Sequence, residues 1–279
     1  MKKLTLSLLA SLALTAGCAK TTLNIDPSSN SQALQVARAA NLSQVRDQKI
    51  PQEDFNRLAD SSLYNAAWAT TMYFNPAPGF SSGSSLALAL PSLFLKPARP
   101  VDGYKHIIAW MPQELAKDPN EAQAKMDAIL IEALEKTAKQ FDYADYRTDN
   151  LVYKNRKITV LYFEDEESVC RSEKNFYCSF ANRLLKPEIR PTPDFLKATH
   201  SQSSYFFPLE KYDDIHFLSR NEDLPQLDQL KMLQIYSEQL PEWVYLYLAP
   251  KSVHNEKGEL LQYPFILHQG KTLLFVKPE

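Results

Sequence analysis

Apolar and polar positions follow two different grammars along this chain of 279 residues. Up to about residue 75 the spacing is helical. Ala33, Val36, Ala37 and Ala40 share one helical face, with Ser31 in place to cap it. A second helix is expected from Gln52, after Pro51, through Leu58. A third is expected over Ser61 to Phe74, where Leu63, Ala67, Thr70 and Phe74 recur at helical intervals before Pro76 and Pro78 stop it. Leu86 to Leu95 is then nearly all apolar, broken by Pro91 and too short to span a bilayer. It reads as a buried helical turn after a serine-rich loop, or as a segment that docks on a membrane or a partner.

From Val101 the pattern changes to strands. Tyr104 to Met111 is nearly continuous in apolar residues, as a central strand requires. Asp118-Pro119-Asn120-Glu121 is a helix start, with Asp as the N-cap, Pro at the first helical position and Glu two further on. The face Met126, Ile129, Leu130, Ala133, Leu134, Thr137 and Phe141 continues that helix. Leu151 to Tyr153 and Ile158 to Phe163 flank a polar turn and predict a hairpin, with a third strand over Asn175 to Phe180. Residues 186–204 carry three prolines and read as a long surface connection. Leu224 to Leu240 predicts a helix stopped by Pro241, and Trp243 to Leu248 a buried strand. Tyr263 to Leu267 and Thr272 to Val276 flank His268-Gln269-Gly270-Lys271 as a terminal hairpin.

This order implies an α+β fold: a small N-terminal helical module over residues 32–99, then a mainly antiparallel sheet with two packed helices over 100–279. The succession resembles the ferredoxin-like strand–helix–strand–strand–helix–strand order with additions, which implies no function.

The first eighteen residues add what periodicity cannot. Lys2 and Lys3 precede an apolar run from Leu4 to Ala16, ending in Leu14-Thr15-Ala16-Gly17-Cys18. This is the form of a secretory signal, expected over residues 1–17. The ending resembles the lipobox of bacterial lipoproteins. That resemblance implies acylation of Cys18, which becomes the first mature residue, and membrane attachment through its lipid chains. Residues 18–31 are then a lipidated, polar tether. Ala19, where an aspartate would favour the inner membrane, implies the outer membrane, with the periplasmic face as the expected location.

Two further cysteines, Cys170 and Cys178, lie eight apart. In an oxidising envelope compartment a disulfide between them is the expectation, with two buried free thiols as the alternative. Net charge is −2, and about −4 once Lys2 and Lys3 are lost, so no basic field is available for nucleic acid.

Candidate chemistry is sparse. Gly79-Phe80-Ser81-Ser82-Gly83 matches the G-x-S-x-G elbow that presents a nucleophilic serine above a sheet, but Pro76 and Pro78 occupy the place of the preceding strand. Ser81 is the one candidate nucleophile, and a weak one. Asp213-Asp214-Ile215-His216, Glu164 to Glu167, and Asp142, Asp145 and Asp149 read as solvated loop charge, so no metal site is expected. His106 and His268 read as hydrogen-bonded structural histidines. Tyr205-Phe206-Phe207 falls in the expected connection, as core filling or as an exposed aromatic grip. Glycine-rich nucleotide loops are absent, and no cofactor is expected. The reading that results is a non-enzymatic, lipid-anchored envelope protein with protein partners in a periplasmic or outer-membrane assembly. The alternatives are an anchored serine hydrolase using Ser81 and a ligand-binding lipoprotein.

Overall fold

Asp118 starts the longest helix as its sequence prescribes. Its carboxylate accepts the amides of Asn120 and Glu121 at 2.8 and 3.0 Å, while the Glu121 carboxylate reaches back to the Lys117 amide at 3.0 Å. The helix, Pro119–Gln140, buries Ala122, Met126, Leu130, Ala133, Leu134, Thr137 and Ala138 along one side. In this computed structural model the described residues are 30–43, 45–53, 55, 101, 103–140, 145–153, 156–164, 178–196, 201–210, 214–218, 226–249, 253–254, 260–261 and 264–279.

In chain order the described elements begin with α1 (Gln32–Ala39), β1 (Gln48–Ile50), β2 (His106–Pro112) and the long helix, α2. Next come β3 (Asp145–Tyr153), β4 (Arg156–Glu164), β5 (Cys178–Arg183), β6 (Glu188–Pro191), β7 (Ser203–Phe206), β8 (Ile215–Leu218) and α3 (Gln226–Gln239). The chain closes with β9 (Val244–Leu248), β10 (Val253–His254), β11 (Leu260–Leu261), β12 (Phe265–His268), β13 (Lys271–Leu274) and β14 (Val276–Pro278).

The fold is α+β, with mainly antiparallel sheets. One sheet has six strands in the order β13-β12-β9-β2-β7-β6, and a second has four in the order β3-β4-β5-β8. The strands of the ferredoxin-like order therefore divide: β2 and β9 are neighbours in the larger sheet, β3 and β4 in the smaller. Every residue of β2 and β9 is buried, which accounts for their continuous apolar runs. Trp110 on β2 packs edge-on against Phe195 and Tyr245, with ring centroids 5.6 and 6.0 Å away, and is tilted against Phe206 at 5.6 Å. Helices α2 and α3 pack on each other, α2 against β3 and β4, and α3 against β12.

Helix α1 is capped as expected, by the Ser31 hydroxyl accepting the Leu34 amide at 3.0 Å. Its buried face, Ala33, Leu34, Val36 and Ala37, belongs to the same apolar core as both sheets. The unpredicted strand β1 pairs in parallel with β14. Gln52, Glu53 and Phe55 are helical. The expected helix over 61–74 and the apolar run 86–95 lie outside the described residues.

Three sequence expectations need correction. Strand β3 begins at Asp145, so Asp145 and Asp149 belong to a nine-residue strand and not to a loop. Its pairing with β4 extends the hairpin well beyond the apolar tripeptide that announced it. Strand β5 continues past the expected end at Phe180 to Arg183, while residues 175–177 lie outside the described residues. The supposed surface connection at 186–204 contains β6 and the start of β7, with Tyr205, Phe206 and Phe207 all buried.

Candidate functional site

The most unusual chemistry among the described residues is a buried His–Asp pair that joins the two sheets. His106 opens β2, and Asp214 immediately precedes β8. Nδ1 of His106 lies 2.9 Å from Oδ2 of Asp214, and Nε2 lies 2.7 Å from the carbonyl oxygen of Val101. The imidazole is wholly buried and the aspartate is 3% exposed. The ring stacks at 6.2 Å on Tyr247 of β9.

The backbone of Asp214 completes the junction. Its amide donates to the Lys105 carbonyl at 2.7 Å, and its own carbonyl accepts the Arg183 amide at 2.9 Å. Its carboxylate also faces the Ile107 amide at 3.4 Å. The side chain of Arg183 is ion-paired with Glu210 at 3.3 Å. Burial pushes the Asp214 carboxyl above its ordinary range, opposed by His106, the Ile107 amide and Arg183.

Hydrogen-bond complementarity assigns the protons. A carbonyl oxygen can only accept, so Nε2 carries a hydrogen. The second nitrogen faces a carboxylate, so one proton lies between Nδ1 and Asp214. The pair therefore holds its charge in balance whichever partner owns that proton. Neither nitrogen is open to a substrate. The arrangement suits a structural fastening and not proton transfer to a ligand.

A second cluster forms where the terminal hairpin meets α3. His268 Nε2 donates to the Glu242 carbonyl at 2.7 Å, and its ring stacks on Tyr245 at 4.1 Å. Burial lowers the His268 pKa, with the Glu242 carbonyl opposing it, which favours the neutral ring. Burial raises the Tyr245 phenol, so it stays protonated. Gln234 donates to the Gly270 carbonyl at 2.9 Å, and the Gly270 amide donates to the Ser237 hydroxyl at 3.0 Å. These bonds seat the hairpin tip on the last turn of the helix.

Of the sequence-derived candidates, Cys18, Ser81 and Cys170 lie outside the described residues. Cys178 is the first residue of β5, opposite Phe163 of β4. His216 falls in β8, whereas Asp142 and Asp213 lie outside the described residues. For Asp214 the expectation of solvated loop charge is overturned, because it is buried against His106. The only hint in the sequence was a histidine inside a continuous apolar strand, which requires a partner. Nothing pointed to a residue 108 positions away. The bond from Asn182 to the Tyr236 hydroxyl, 2.7 Å long and buried between β5 and α3, was equally unannounced. Among the described residues no group of three His, Cys, Asp or Glu side chains converges as a metal site requires.

No protein-family model, curated protein or solved structure matches this chain. Among the described residues no helix is long and apolar enough to cross a membrane.

Proposed function

We propose that this protein is a lipid-anchored component or accessory of a cell-envelope assembly, held at the outer membrane through Cys18 and acting by binding rather than catalysis. The observation that carries this reading is the run Lys2-Lys3, Leu4 to Ala16 and Leu14-Thr15-Ala16-Gly17-Cys18. Acyl chains at Cys18 supply the attachment, and two or more such chains suffice for stable anchoring.

Ser31 is fastened to the body of the protein. The Ser31 amide donates to Asp47 Oδ2 at 2.6 Å, and its hydroxyl bonds the other carboxylate oxygen. Ser31 stands about a dozen residues after Cys18, a length that, as the tether expected from the sequence, would span roughly 20 Å. A tether of that size lets the body stand clear of lipid headgroups while staying at the membrane. The His106–Asp214 pair, closed upon itself, offers no open ring nitrogen to a ligand. The acidic balance of the chain sets nucleic acid aside as a partner.

Membrane separation on a density gradient tests the reading. The full chain should travel with the outer membrane and leave it only with detergent, and Cys18→Ser should be released as a soluble protein. In mild detergent the wild type should sediment as a complex of more than one mature chain. A chain that stays soluble in both forms contradicts the anchor, and sedimentation as a single chain contradicts the assembly.

A further inference from the structure

We propose that the proton shared by His106 and Asp214 latches the six-stranded sheet to the four-stranded sheet, and that its loss as pH rises releases that junction. The placement of the pair carries the argument. His106 belongs to β2 at the centre of the larger sheet, and Asp214 lies between Lys105, which leads into β2, and Arg183, which ends β5 of the smaller one. One residue therefore donates through its amide to the segment leading into the larger sheet and accepts through its carbonyl from the smaller one, and His106 fastens its side chain.

The direction of the switch follows from which atoms can donate. With the shared proton present, Nδ1–H meets a carboxylate oxygen and Nε2–H meets the Val101 carbonyl, so both contacts are complementary. Adding a second proton to the carboxyl leaves its other oxygen able to accept from Nδ1–H, so in acid the contacts stay complementary although the imidazolium then lacks its counter-charge. Removing the shared proton does not. A nitrogen lone pair then faces either the carboxylate or the Val101 oxygen, and a carboxylate stands in a dry site without a facing cation on the ring.

Two neighbouring side chains bear on the pair. From β5 the guanidinium of Arg183 acts on Asp214 but is already paired with Glu210. From β9 Tyr247 presents the flank of its ring. The upward shift of the Asp214 carboxyl has the same sign, since the folded state holds on to the proton. A folded state that binds more protons than the unfolded chain loses stability as pH rises.

Amide exchange on the full chain in detergent tests the latch directly. The amides of Asp214 and Arg183 report the junction, and those of Ile108 and Leu246 report the β2–β9 ladder. Corrected for chemical rate, junction protection should fall by about tenfold or more from about pH 5 to about pH 9, while the ladder amides keep theirs. The wild type should also show a far-downfield, slowly exchanging proton between His106 and Asp214. In Asp214→Asn a carboxamide N–H can donate to Nδ1 of the Nε2-protonated ring, so the junction should hold with a flat pH response. If junction and ladder amides respond alike in the wild type, or if the junction response is absent, the latch is wrong. The wild-type measurement decides this even if Asp214→Asn does not fold.

Discussion

The amide of Gly270 donates to the hydroxyl of Ser237 at 3.0 Å, so the tip of the terminal hairpin closes the last turn of α3. Ser237 accepts this bond while donating to the Gln234 carbonyl, and Gln234 returns a bond to the Gly270 carbonyl. Turn and helix end thus hold each other.

Position 270 requires glycine on conformational grounds. Gly270 has φ +71°, and Gln269 before it has φ +50°, as a two-residue hairpin turn of the type I′ family demands. A Cβ at 270 would clash with Cγ of Glu238. Gly270→Ala should cost about 1–2 kcal/mol in chemical denaturation. Combining it with Glu238→Ala separates the causes: the loss persists if φ dominates and shrinks if the contact does.

Asp118 predicts a pH dependence of opposite sign to that of Asp214. Its bonds from the Glu121 and Asn120 amides hold its carboxyl below the ordinary value of 3.8. A folded pKa below the unfolded one gives stability that is present above 3.8 and lost as pH falls through the folded value. Thermal melts should show Asp118→Ala less stable than wild type near neutrality, with the two converging in acid. Asp118→Asn, which keeps a capping oxygen, should lie between them.

Among the described residues β6 is an edge strand, and it is guarded by proline. The Thr192 amide donates to the Gln202 carbonyl at 2.9 Å, continuing the β6–β7 ladder. Alternation then turns the backbone groups of Arg190 toward β7 and those of Ile189 and Pro191 outward. Pro191 has no N–H to offer there, although Ile189 beside it is 52% exposed. Pro191→Val restores a donor on the outer edge and should produce concentration-dependent association in sedimentation velocity. An unchanged sedimentation profile would show that proline is not what keeps this edge unpaired.

Legibility followed the range of the interactions. Helix α2 could be read because Asp118, Pro119 and Glu121 act within one turn and its apolar face repeats over 22 residues. The terminal hairpin could be read because Gln269-Gly270 is a local turn signal. Strands β6 and β7 were obscured by Pro187, Pro191 and Pro193, which look like loop punctuation but here occupy the edge of a sheet and its flanks. Tyr205 and Phe206 are buried because β7 pairs with β2, a contact formed by residues far apart in sequence. Asp214 misled for the same reason: beside Asp213 it has the local signature of a solvated loop, and only the fold brings His106 to it. The α+β class was readable from element order, but the division into two sheets was not.

The N-terminus of the mature protein tests the central claim most directly. Purified from detergent-extracted membranes, its first peptide should begin at Cys18 and carry the added mass of a diacylglyceryl group with its fatty acids, and Cys18→Ser should lack that mass. A mature chain that begins elsewhere, or a Cys18 peptide of unmodified mass, would contradict the account.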